Sequence, residues 1–286
     1  MLPDLELRFP PLPRTITDVS NLLAQRAEVP DTPELVRIIE KDPVMVTTIL
    51  RRINSAYYGL RQPVADVRKA VFLLGFMEVS NLVLSTAMLK VRDLLSTERQ
   101  LRLFDLILQA SIGTAAYAQD LCKKLHLPTA EMAYTAGLLH NVGRLVFLYN
   151  DPERYAQLGE RETGTPFPLP EQERETFGHD HMRLGAAAAR HWELPDEIGL
   201  IIGSYLTPGH IKEPGVRQLA MTVSVAASAT TQLCMEPARD ALGFEAKTAL
   251  RLLARSHGLP SSSLIEHIEA QRGTIRDYIT MMTRGH

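Results

Sequence analysis

Apolar residues recur at intervals of three and four along almost the whole chain. Ile16, Val19, Leu23 and Ala27 predict one face of a first helix. Thr32-Pro33-Glu34 reads as cap, first-turn proline and first-turn acid, with Leu35, Ile38 and Ile39 turned inward. Asp42-Pro43 repeats the start signal ahead of Val46, Ile49, Leu50 and Ile53, and Asn54 through Gly59 reads as a glycine stop. After Gln62-Pro63 a helix is predicted over 67–74, broken by Gly75, and then a long apolar helix to about Lys90.

Residues 100–125 predict another helix, with Leu103, Leu106, Ile107, Ala110, Thr114 and Tyr117 on one side. Thr129 to Leu148 reads as a helix pair or one helix bent around Gly137 and Gly143. The alternating prolines of 164–170 block helix and mark a loop. Asp180 is placed as the cap of a helix over 181–191, Asp196 as the cap of the next, and 208–214 as a second loop. Helices follow over 216–235, 245–256 and 263–282, the last with capping-box spacing between Ser263 and Glu266. No stretch demands a strand and no period repeats, so the expectation is an all-α, multi-helix bundle of roughly a dozen helices.

Composition narrows this reading without redirecting it. Of 286 residues, 45% are hydrophobic and 22% charged, enough apolar surface for a globular core and too much for a disordered chain. Thirty-one Lys and Arg against 33 Asp and Glu leave a net charge of -2, which disfavours a nucleic-acid binder, although a local basic patch is compatible with it. Two cysteines, Cys122 and Cys234, make neither a disulfide framework nor a cysteine-rich zinc site and fit a reduced compartment. Residues 1–14 carry Asp4, Glu6 and three prolines, and so lack a signal-peptide core. The most membrane-like run, 71–91, contains Glu78, Ser80, Asn81, Ser85 and Thr86; a buried helix accounts for it better than a span. A cytoplasmic location is the expectation.

The chemistry is sparse. His140 sits in the otherwise apolar 138–144 and is followed by Asn141 and Gly143; a core histidine with a local hydrogen-bond partner is the simpler account. His179-Asp180-His181 invites a metal, yet residues two apart on a helix do not face one another, and a helix cap at Asp180 explains the triplet. His191-Trp192 is expected to pack over a helix end; His126, His210, His257, His267 and His286 are expected at the surface. No nucleophile elbow, Walker loop, dinucleotide fingerprint or H-E-x-x-H string is present. Arg51, Arg52, Asn54, Tyr57 and Tyr58 mix planar cations with aromatics, a blend suited to a contact surface, although cations there also complement a helix C-terminus.

Four segments in order resemble the HDOD family, the HD-related output domains of bacterial signalling proteins. They are residues 42–59, residues 70–75, residues 136–144, and Phe177-Gly178 with Asp180-His181 continuing through Gly185-Ala186 to Pro195. The resemblance covers roughly residues 12–210, with 211–286 expected as C-terminal helices packing on the same domain. It implies an all-α fold related to metal-dependent HD phosphohydrolases. It also places the ligand positions of the catalytic relatives at Ala110, at His140-Asn141, at His181, at about Ser204-Tyr205 and near Ala227. Only His140 and His181 keep a strong donor there; alanines donate nothing, and a neutral amide serves a hard cation poorly.

The expectation is therefore a degenerate HD site: no catalytic residue, no metal and no cofactor, with His140, Asn141 and His181 as remnants. The resemblance implies a regulatory module in second-messenger, motility or biofilm control. It would act through other signalling proteins, without a receiver or GGDEF-type domain in this length, and its old cleft stays open to a small-molecule or nucleotide ligand. The alternative is a phosphodiesterase or nucleotidase using His140, His181 and an unrecognised carboxylate. Nucleotide or nucleic-acid binding without turnover is a weaker third.

Overall fold

Short acids and prolines write the helix starts. Asp42 accepts the backbone N–H groups of Val44 and Met45, Asp66 that of Lys69 and Asp180 that of Arg183. Each pairing satisfies a donor that a first turn leaves without an intrahelical partner. Thr97 and Gln100 close a reciprocal capping box. The computed structural model describes residues 8–25, 30–127, 130–159, 167–234 and 244–283, and among them the regular structure is entirely helical.

In chain order the helices are α1 (Arg14–Ala24), α2 (Thr32–Glu40), α3 (Pro43–Ile53), α4 (Val67–Leu74), α5 (Phe76–Leu89), α6 (Glu98–Lys124), α7 (Ala130–Leu139) and α8 (Val142–Asn150). There follow α9 (Pro152–Gly159), α10 (Pro170–Phe177), α11 (His181–His191), α12 (Asp196–Ser204), α13 (Pro214–Cys234), α14 (Phe244–Ser256) and α15 (Ser261–Thr283). Short 3-10 turns occupy Lys90–Leu94 and Pro208–His210.

The 27-residue α6 is the spine; α7, α13 and α15 pack along it, while α1 and α3 cover α5. Every residue of α5 from Val79 to Leu89 is buried, which explains why 71–91 reads as apolar all round: the helix is enclosed by protein on each side. Gly75 (φ +88°) separates α4 from α5 in a conformation that a side chain would strain. No helix among the described residues is long and apolar enough to cross a membrane. One apolar core runs from Ile16 on α1 to Met282 on α15, so the helices after residue 210 share it with those before.

Several local expectations need correction. Asp31, not Thr32, caps α2, accepting from Glu34 N–H, and Thr32 is the first helical residue. Asp196 begins α12 rather than capping it; the cap position is Pro195, and Asp196 instead places negative charge in the first turn. Ser263 lies inside α15, which starts two residues earlier. α3 ends at Ile53, ahead of the glycine, and the side chain of its C-cap Asn54 bonds both the N–H and the C=O of Val64. Leu106 is exposed, and Phe104 and Leu108 take the inward positions of that part of α6. Of the two readings of 129–148, the helix pair is the one found. Thr129 and residues 164–166 of the proline loop lie outside the described residues.

Candidate functional site: a closed histidine pocket

The pocket is assembled where α8, α10, α11 and α12 converge. α8 and α11 approach so closely that a Cβ on Gly143 would lie 1.8 Å from the His181 carbonyl oxygen, so only glycine fits. This contact sets the Asn141–Arg144 turn against the start of α11.

Arg144 is the centre of the arrangement. Its guanidinium Nη1 donates to Glu173 Oε1 (2.8 Å), the Tyr155 hydroxyl (2.9 Å) and the Pro168 carbonyl (3.1 Å). Its Nε donates to Asn141 Oδ1 (3.1 Å), and its carbon lies 4.8 Å from the Phe167 ring centroid. Glu173 is fully buried, and its other oxygen accepts both the backbone N–H (2.8 Å) and the ring Nδ1 (2.6 Å) of His181. A carboxylate only accepts, so Nδ1 carries the hydrogen and the lone pair of His181 lies on Nε2. Nε2 in turn accepts from the Tyr205 hydroxyl at 2.8 Å. His140 donates from Nδ1 to the Gly137 carbonyl (2.6 Å), and its ring meets Tyr205 edge-on at 5.1 Å.

The charges follow from this geometry. Burial opposes ionisation of Glu173, but Arg144 and the His181 hydrogen bonds outweigh it and hold the carboxyl below its usual range. Burial also works against the charge on Arg144, and its tyrosine and Glu173 neighbours more than restore it. Burial pushes His140 down to about 3, helped by His181 and Arg144 against the Gly137 hydrogen bond. His181 moves the same way, chiefly by burial and then Arg144. Burial lifts the Tyr205 hydroxyl to about 12. Near neutral pH the pocket therefore holds one ion pair and two uncharged imidazoles.

This donor set does not fit a divalent cation. Metal-bound histidines commonly turn their second N–H to a carboxylate, as His181 does to Glu173. Here the nitrogen that would face the metal is instead hydrogen-bonded to a phenol that stays protonated. Asn141 Oδ1 is taken by Arg144, Glu173 by Arg144 and His181, and Ala110 and Ala227 offer no donor. Among the described residues no group of three His, Cys, Asp or Glu side chains is placed to hold a metal ion.

The sequence motifs bring His140, Asn141 and His181 together as expected, but they single out neither Tyr155 nor Glu173, and they name Arg144 and Tyr205 without a role. Glu173 stands among Glu171 and Glu175 on a polar helix, and only the packing distinguishes it. His179 is half-buried with an unpartnered Nδ1, and Asp180 is a cap paired with Arg174, so the H-D-H triplet is a helix start. Trp192 donates to the Pro10 carbonyl, while His191 stacks on Phe9. His126 and His210 are exposed, and His257 is half-buried. His267 departs from the surface expectation: it is partly buried and bonded to Asp120. His286 and the side chain of Cys234 lie outside the described residues.

The expected contact surface does not survive whole. Arg52 is 7% exposed and points inward, donating to the Met281 carbonyl near the end of α15, where its charge complements the helix C-terminus. Asn54 is tied to Val64, and Tyr58 is half-buried and donates to Glu78. Arg51 and Tyr57 remain exposed.

The HDOD domain model matches residues 9–205, more than two thirds of the chain. The chain belongs to the HDOD domain family. An HDOD domain protein from Geobacter sulfurreducens shares the fold at a TM-score of 0.77, covering 97% of this chain and 94% of that one at 19% identity. A Shewanella amazonensis SB2B protein provisionally named a phosphohydrolase matches at a TM-score of 0.67 and 21% identity, over 96% and 95% of the two chains. At these identities the likeness is one of fold. An uncharacterized protein of Treponema pallidum (strain Nichols) is 28% identical over 197 residues, 66% of this chain and 36% of that protein. The HDOD chain thus matches little more than a third of that relative's length.

Proposed function

We propose that this HDOD protein is a non-catalytic signalling module that acts by contacting other proteins. The observation that carries the reading is the Glu173–His181–Tyr205 chain. It keeps the outer half of a metal-histidine arrangement while a tyrosine hydroxyl takes the inner, metal-facing nitrogen. A hydrolytic HD mechanism needs a cation to activate water and hold the phosphate, and the donors that would bind it are missing or committed. Among the described residues the carboxylate bonded to His181 is Glu173, and that group already balances a buried guanidinium. Binding is left to the surface, where Arg51 and Tyr57 are exposed and suited to a protein contact.

Turnover tests the first half of this reading. With manganese, iron(II) or zinc supplied, bis(p-nitrophenyl) phosphate should be hydrolysed no faster than in buffer. A rate that appears with metal and disappears in His140→Ala would overturn the proposal. For the second half, a partner identified by cross-linking should lose affinity for a folded Arg51→Ala, Tyr57→Ala variant; unchanged affinity removes that surface from the account.

A further inference from the structure

A groove of about 790 Å³ runs between α11 and α12, within the roughly 300–1,000 Å³ range of small-ligand sites. It is separate from the histidine pocket: His140, Asn141, His181 and Tyr205 do not line it. Its shape comes from small residues. Gly203 and Gly199 on α12 sit against Ala186 and Ala189 on α11, so the helices meet closely and leave a trough above the seam. Met182 and Leu194 are buried along its wall, and Leu200 stands in it 51% exposed. Ser204 and Thr207 add polar residues to the lining.

The rim is cationic. Arg183 and Arg190 lie seven residues apart on α11, about 10 Å along the helix axis. Both are exposed, and neither makes an ion pair among the described residues. The third arginine, Arg174, is already committed to Glu171 and Asp180. Against the two uncommitted guanidinium groups the groove sets one uncommitted carboxylate, Asp196 at the start of α12. The surplus is positive in a protein whose net charge is -2.

We propose that this groove binds a small organic anion: a flat, apolar body carrying a phosphate or carboxylate. The body lies on Leu200 and the glycine–alanine seam, and the anionic group takes the planar fork of Arg183 or Arg190, which suits two parallel hydrogen bonds to such oxygens. An inorganic anion would leave the apolar trough uncovered, and a neutral aromatic would forgo the guanidinium contacts. The inference goes beyond the signalling reading by giving the module a small-molecule input. It stands on residues that the metal and turnover tests do not touch, so the two can fail separately.

The test uses 1-naphthyl phosphate as probe, titrated into the full chain and followed by amide NMR. Shifts should concentrate at Ala186, Gly199 and Gly203, and affinity should fall as salt rises. The variants Arg183→Gln/Arg190→Gln and Leu200→Glu, all at exposed positions and checked for unchanged melting, should each weaken binding by about tenfold or more. 1-Naphthol and inorganic phosphate, the two halves of the probe, should each bind at least about tenfold more weakly than the whole. Shifts that map elsewhere, equal affinity in the double arginine variant, or no saturation at millimolar probe would overturn the proposal.

Discussion

His140 makes the stability of this protein depend on pH in a defined window. In the folded chain the imidazole is 3% exposed and titrates at about 3; in the unfolded chain it titrates near 6.5. A base depressed in this way binds its proton more readily when unfolded, so stability is fully present above pH 6.5 and falls as the pH drops towards 3. Each pH unit within the window costs about 1.4 kcal/mol per group, so at pH 5 His140 alone should remove about 2 kcal/mol. The variant His140→Gln keeps a donor for the Gly137 carbonyl but does not titrate. Urea unfolding of both proteins at pH 7.5, 6 and 5 isolates the effect, because His181 and the carboxylates titrate in each. The variant's disadvantage at pH 7.5 should shrink by about 2 kcal/mol at pH 5. A difference that does not change with pH, or a His140 ring signal that titrates above pH 5 in the folded protein, would refute the reasoning.

Further outcomes follow from the same geometry. Glu173→Gln leaves the Arg144 charge buried without its counter-ion and should cost about 3–5 kcal/mol in denaturant unfolding, whereas a loss under about 1 kcal/mol would show that the ion pair is not what holds the pocket. Gly143→Ala drives a methyl into the His181 carbonyl and should destabilise by about 3 kcal/mol, while Gly199→Ala, whose added carbon meets Ala189 at an ordinary 3.6 Å, should be neutral or slightly stabilising in the same melting assay. Cys122 is buried and its thiol is pushed up to about 12, chiefly by that burial, so iodoacetamide should label it only under denaturing conditions.

Much of the fold was legible because its signals are local. The apolar period marks buried faces, Asp42 and Asp180 cap helices in their own neighbourhood, and Gly75 can break a helix with no help from distant residues. The errors arise where two local signals compete: Asp31 and Thr32 are both good caps, and it is Asp31 that accepts the Glu34 N–H. The site was half legible. His140 and His181 stand in recognisable strings, but Glu173 acts through contacts eight and 29 residues away, and no period or motif separates it from Glu171 and Glu175. Tyr205 conveys only that its position lacks a strong metal donor; that its hydroxyl closes on His181 is a fact of three-dimensional placement. Arg52 misled for the same reason, since its partner at Met281 is 229 residues away.

The central claim is that the histidine pocket is closed by its own side chains and does not take a cation. Metal content after loading tests it most directly: the purified chain is incubated with excess manganese, iron(II) and zinc in turn, desalted, and measured by plasma mass spectrometry beside His140→Ala and Tyr205→Ala. Far less than one ion per chain is expected, with the same value in the wild type and in His140→Ala. One tightly held ion per chain that is lost in His140→Ala would contradict it.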